Sequence, residues 1–136
     1  EFSMPVVNGA SLEEIKYTLP SGWRGSVSNN SLYIYPPDDS GGGYLVVNDT
    51  ELPEGMGRRE FFCSGGNICN SSTVFEPIQV GNLSGYRIVT SKSESWEANY
   101  YIAAKGDRFY MIVVGKSPKT TEFNNHYQSV LDSLVF

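Results

Sequence analysis

Residues 96–114, WEANYYIAAKGDRFYMIVV, carry apolar side chains at odd and even positions alike. With Gly106 and Asp107 as a two-residue turn, Ala104 faces Phe109, Ile102 faces Met111 and Tyr100 faces Val113 on one side of a β-hairpin. Ala103 with Tyr110 and Tyr101 with Ile112 fall on the other. An antiparallel sheet with one wet side alternates apolar with polar residues, so a hairpin apolar on both sides predicts packed layers above and below it. The expected class is α+β, an antiparallel sheet sandwiched between helices (α/β/α).

Elsewhere the periods are shorter. In residues 14–19, EIKYTL, Ile15, Tyr17 and Leu19 alternate with polar neighbours, and Pro20-Ser21-Gly22 ends the run: a first strand and a turn, with Trp23 as an anchor. Residues 32–35 and 44–48 read as a second and a third strand, separated by Pro36-Pro37 and a Gly-rich loop. Residues 54–63, EGMGRREFFC, predict one or two helical turns that can bury Met56, Phe61 and Phe62. Residues 73–80 and 83–90 flank Gly81-Asn82, a dipeptide suited to a tight hairpin turn, so with 96–104 and 109–114 they make a four-strand meander. Pro77 lies inside the first of these; proline cannot donate to the ladder, and the sheet is expected to end there. After Pro118, Thr120 is placed as the N-cap of a helix with Glu122 in its first turn. Phe123, Tyr127, Val130, Leu131 and Leu134 form its apolar stripe, the cover for one face of the hairpin. An N-terminal turn or the 54–63 segment must cover the other.

A length of 136 residues suits one domain with one main core. We assign 1–13 to an N-terminal segment, with Glu1-Phe2 read as a remnant of a cloning junction and Glu1–Ser3 set aside from the fold, and 14–136 to a single domain. Charged residues are only 18% of the chain, whereas it has nine Tyr, seven Phe and 14 Gly, the composition of a secreted or envelope domain rich in strands and turns. A net charge of −5, with no basic run longer than Arg58-Arg59, argues against nucleic acid or an anionic membrane as partner. No apolar run is long enough for a transmembrane helix, and no signal peptide is visible, which leaves room for a lipid anchor upstream of residue 1.

Cys63 and Cys69 bracket Ser-Gly-Gly-Asn-Ile, and a local disulfide is the reading that this short flexible loop favours. Closing it contributes about 2 to 2.5 kcal/mol in the chain-entropy picture. Redox catalysis usually takes the tighter C-x-x-C, and a structural zinc takes four ligands where only His126 is at hand. A disulfide implies an oxidising compartment, hence a periplasmic, cell-surface or secreted location. His126 is the only histidine, and at the margin of the helix stripe it reads as a boundary residue rather than a catalytic one. No G-x-S-x-G elbow occurs, no cofactor motif is found, and no catalytic residue is assigned. Asp38, Asp39, Asp49, Glu51 and Glu54 are the densest acidic group; their spacing matches no calcium loop, and they read as solvated turns. Tyr33, Tyr35, Tyr44, Trp96, Tyr101 and Tyr110 are mostly core candidates, but Tyr33 and Tyr35 alternate with Leu32 and Ile34 on one short strand and are the pair most readily exposed. Tyr33, Tyr35, Arg58 and Arg59 are therefore the candidate partner-binding residues.

Three features recur in order: Tyr17-x-Leu19-Pro20-x-Gly22-Trp23 after the first strand, the 81–114 meander with Tyr100-Tyr101 and Gly106-Asp107, and a last helix closing with Ser133-Leu134-Val135-Phe136. Over residues 14–136 this resembles the PsbP-like superfamily, which includes thylakoid-lumen proteins, a nuclear Ran-binding factor and bacterial envelope lipoproteins. The resemblance implies an accessory or binding protein rather than an enzyme, and it transfers no functional residue. The cysteine pair does not suit the nuclear branch, and no basic extended N-terminal segment of the photosystem branch is present, which leaves a bacterial envelope protein. The expectation is a non-enzymatic extracytoplasmic domain that recognises a protein or envelope component; the alternative is a small-molecule carrier with a pocket between helix and sheet.

Overall fold

The hairpin forms in the register that its apolar pattern predicts: Ala104 pairs with Phe109, Ile102 with Met111, Tyr100 with Val113, Ala103 with Tyr110 and Tyr101 with Ile112. The computed structural model describes residues 2–5, 15–29, 31–37, 43–64, 69, 73–92, 97–117 and 120–136. Its elements are β1 (Phe2–Pro5), β2 (Lys16–Leu19), β3 (Arg24–Ser28), β4 (Ser31–Tyr35), β5 (Tyr44–Glu51), α1 (Arg58–Ser64), β6 (Glu76–Val80), β7 (Leu83–Lys92), β8 (Glu97–Lys105), β9 (Arg108–Lys116) and α2 (Thr121–Ser133).

Strands β3 to β9 build a seven-stranded sheet in the order β3-β4-β5-β9-β8-β7-β6, antiparallel at every step. The β6–β9 meander is present as expected, and Pro77 lies on the edge strand β6, where a missing donor costs least. Three parts of the sequence reading change. Arg24–Ser28, which carries little apolar alternation, forms β3 because it hairpins onto β4 through Asn29, the one described non-glycine residue with positive φ. The 14–19 run does not join the main sheet; β2 pairs instead with β1, so Phe2 and Ser3 belong to a strand. Thr120 is the N-cap of α2, but its hydroxyl bonds Ser117 and Asn124 rather than the first helical amides.

Alternation then sorts the side chains into two layers. On one face Leu32, Ile34, Leu45, Val47, Tyr101, Tyr110, Ile112 and Val114 lie under α2 and β2, which contribute Phe123, Val130, Leu131, Tyr17 and Leu19. Trp23 stacks on Phe123 at 5.6 Å between ring centroids. The chain end is tied to this layer: Lys16 and Val135 exchange backbone hydrogen bonds of 3.1 and 2.9 Å, and the Thr18 amide donates to Ser133 Oγ. The other face buries a smaller cluster, Ile88, Ile102 and Phe109 beneath Phe62 of α1. The 54–63 segment is thus the second cover, and the two-sided hairpin is the middle layer.

Candidate functional site

The α1 face is built from rings. Phe62 stands edge-on to Tyr100 at 5.7 Å and to Phe75 at 6.1 Å, Phe61 meets Phe109 at 4.9 Å, and Phe75 meets Tyr86 at 6.0 Å. Edge-to-face contacts of this kind add to the area they bury. Seven residues are too few for a helix to be stable alone, so α1 depends on this aromatic contact and on the Cys63–Cys69 disulfide, whose Cα atoms are 5.4 Å apart. The bridge fastens the last turn of α1 to the segment leading into β6.

Arg58 and Arg59 open α1 and both lie over the Tyr86 ring, their guanidinium carbons 5.2 and 5.5 Å from its centroid. Arg59 also lies over Phe75 at 5.8 Å, and Arg58 Nη1 donates to the Ser84 carbonyl at 2.8 Å. Arg58, Arg59, Phe75 and Tyr86, with Gly57, Glu60 and Cys63, line an open cavity of about 630 Å3. Tyr33 and Tyr35 lie on the same sheet face, since Leu32 and Ile34 between them point into the α2 layer. Their rings stack at 6.3 Å and 5° interplanar angle, both half-buried, and Arg24 lies over Tyr35 at 5.3 Å. From β4 to β7 is four strand spacings, about 19 Å, so the tyrosine pair and the arginine pair share a face without touching.

Between them, Asn48, Thr50, Phe61, Phe62, Ser64, Phe109 and Met111 line an open cavity of about 240 Å3 between α1 and strands β5 and β9. Ser31 Oγ donates to Asn48 Oδ1 across the β4–β5 pairing on the same face.

The remaining candidates fall elsewhere. Tyr101 and Tyr110 are core residues of the α2 layer, and Tyr44 packs over Gly115, where a Cβ would sit 2.5 Å from its ring. Trp96, Asp38 and Asp39 lie outside the described residues. Asp49 leaves the acidic group: it is 3% exposed and takes Arg108 Nε at 3.0 Å and Nη2 at 2.9 Å. Glu51 and Glu54 border a cavity of about 520 Å3 beside the Gly106-Asp107 turn. His126 meets the edge of Trp23 at 6.4 Å on the α2 side, with the sheet between it and Cys63. No group of three His, Cys, Asp or Glu residues suited to a metal occurs among the described residues.

The α2 side also holds polar groups that the apolar pattern conceals. Asn99 is fully buried and donates to Glu97 Oε2 at 2.7 Å, and Glu97 approaches Lys116 at 3.8 Å. Burial next to Tyr127 pushes the Tyr101 hydroxyl up to about 12, and a hydrogen bond from Arg87 offsets part of that rise. Burial alone raises Tyr17. The rings beneath Arg58 and Arg59 were not visible as partners because Phe75 and Tyr86 are distant in sequence; an aromatic pair flanking a predicted hairpin turn was the available signal.

No protein-family profile matches the chain, and no curated protein does so by sequence. Solved structures do match its architecture. Cyanobacterial PsbP (CyanoP) from Synechocystis sp. PCC 6803 superposes with a TM-score of 0.56 at 11% identity, over 89% of this chain and 85% of that one. The fold is PsbP-like. A protein from Bacteroides thetaiotaomicron VPI-5482 gives 0.59 at 13% identity over 89% of this chain, and this chain spans 44% of that protein's length. At such identities the likeness is one of fold alone.

Proposed function

We propose that this PsbP-like chain is a non-enzymatic extracytoplasmic binding or accessory domain that recognises another protein, or an envelope component, through the α1 face of its sheet. The observation that carries this reading is the Tyr33–Tyr35 stack, half-buried on β4 beyond the four-residue buried cluster of the α1 layer. Tyrosine offers a large amphipathic contact with few rotatable bonds, the property that makes it frequent at interfaces. The PsbP-like architecture supports an accessory role, and the Cys63–Cys69 bridge supports an oxidising compartment. The test is photo-crosslinking from position 33 or 35 in the native organism's envelope fraction. A defined partner that crosslinks there, and whose binding is lost in the folded double variant Tyr33→Ser/Tyr35→Ser, is the expected result; a partner bound equally well by that variant and by an Arg58→Gln/Arg59→Gln variant contradicts the reading.

The cavity under α1 favours a second reading, a carrier of a small apolar ligand held by Phe61, Phe62, Phe109 and Met111. Its volume of about 240 Å3 falls below the usual range for ligand pockets, which ranks this reading second. Native mass spectrometry of freshly isolated protein separates the two: a stoichiometric noncovalent mass, lost on Phe61→Trp, supports the carrier.

A further inference from the structure

Three of the described cations already have a carboxylate: Arg87 meets Glu76 at 3.6 Å, Arg108 meets Asp49 at 2.9 Å and Lys116 meets Glu97 at 3.8 Å. Arg58 and Arg59 do not; their contacts among the described residues are the Tyr86 and Phe75 rings and the Ser84 carbonyl. A guanidinium held over a ring by cation–π attraction keeps N–H groups available to a further partner, and the attraction restrains it before anything binds. Two such groups around one ring, with one Arg58 Nη already given to the Ser84 carbonyl, leave further donors for a planar anion. In a chain of net charge −5 this pair is a local exception rather than part of a basic surface.

We propose that the Arg58–Arg59 cradle recognises carboxylates and docks an acidic segment of a protein partner, an assignment that rests on the binding-domain reading above. Glu60 lines the same cavity, and its charge opposes a dianion such as phosphate more than a single carboxylate. An anionic membrane would meet the whole negatively charged surface at once, whereas one extended segment need meet only the cradle. The cavity of about 630 Å3 has apolar walls in Phe75 and Tyr86 and admits the side chains flanking an acidic residue.

The experiment is a titration of the 15N-labelled chain, following the Arg58 and Arg59 Nε–Hε signals. The probes are a capped hexapeptide alternating Glu and Tyr, its Gln-for-Glu counterpart, inorganic phosphate, and vesicles of phosphatidylserine and phosphatidylcholine. The Glu peptide is expected to shift both signals saturably, with the Gln peptide about tenfold weaker or more. Arg58→Gln and Arg59→Gln should each weaken the Glu peptide about tenfold. Lys16→Gln, which removes an exposed cation on the α2 side, should leave it unchanged. Equal binding of the two peptides, or preference for phosphate or vesicles, overturns the proposal. A partner lost in Tyr33→Ser/Tyr35→Ser but retained in Arg58→Gln/Arg59→Gln also overturns it, and leaves the binding-domain reading standing.

Discussion

The two faces of the sheet are covered in different ways. On the α2 side, 19 described hydrophobic residues are buried in one cluster, and a 13-residue helix, a strand and the chain end close over them. On the α1 side four are buried, under a seven-residue helix held by rings and a disulfide. Burial sets the stabilisation, so the α2 side carries most of the folding energy and changes on the α1 side cost less than matching changes on the α2 side. That division suits the binding role proposed above: one layer holds the sheet, and the other can carry recognition groups.

The comparison breaks first at its strongest point. Leu131→Ala, which empties a fully buried site under α2, should cost about 3 kcal/mol in denaturant unfolding, whereas Phe61→Ala on the half-buried α1 face should cost about 1. Equal losses would mean that the faces share one core. Removing the bridge in Cys63→Ser/Cys69→Ser should cost about 2 kcal/mol, with the loss of amide protection confined to α1 and its neighbours. If α2 lost protection in step, the two layers would not be separable.

A smaller effect belongs to the α2 side alone. Tyr101 and Tyr17 have raised folded-state values, so their folded forms favour the neutral hydroxyl. Their contribution is fully present below pH 10 and is lost as pH rises toward about 12 for Tyr101. At pH 11 this amounts to about 1 kcal/mol for Tyr101, and Tyr101→Phe should flatten the alkaline limb of a stability–pH curve. An unchanged limb would show that Tyr101 titrates as it does in the unfolded chain. Smallest of all, Tyr33→Ser/Tyr35→Ser should change the unfolding free energy by no more than about 1 kcal/mol while removing binding. A larger loss would make the pair structural.

Much of this architecture was legible in the chain. The Gly106-Asp107 register followed from which pairings keep both faces apolar, and the α2 stripe from helical spacing. Gly81-Asn82 was legible as a turn, but not the reason its glycine is needed: φ is +58°, and a Cβ there would collide with the Leu134 carbonyl, a contact between parts of the chain more than 50 residues apart. β3 was missed because Arg24, Ser26 and Ser28 give an edge strand little apolar signal, and β1 because it pairs locally with β2 outside the main sheet. Tyr33 and Tyr35 could be assigned to a face from alternation alone. The stacking of Arg58 and Arg59 on Tyr86 could not, since it depends on where β7 passes beneath α1.

Native-state hydrogen exchange on the intact chain tests the division of labour most directly. The account predicts that the amides of Arg58–Ser64 exchange through local opening, at a free energy well below that of the Thr121–Ser133 amides, which should require global unfolding. A single common opening energy for both helices would contradict it.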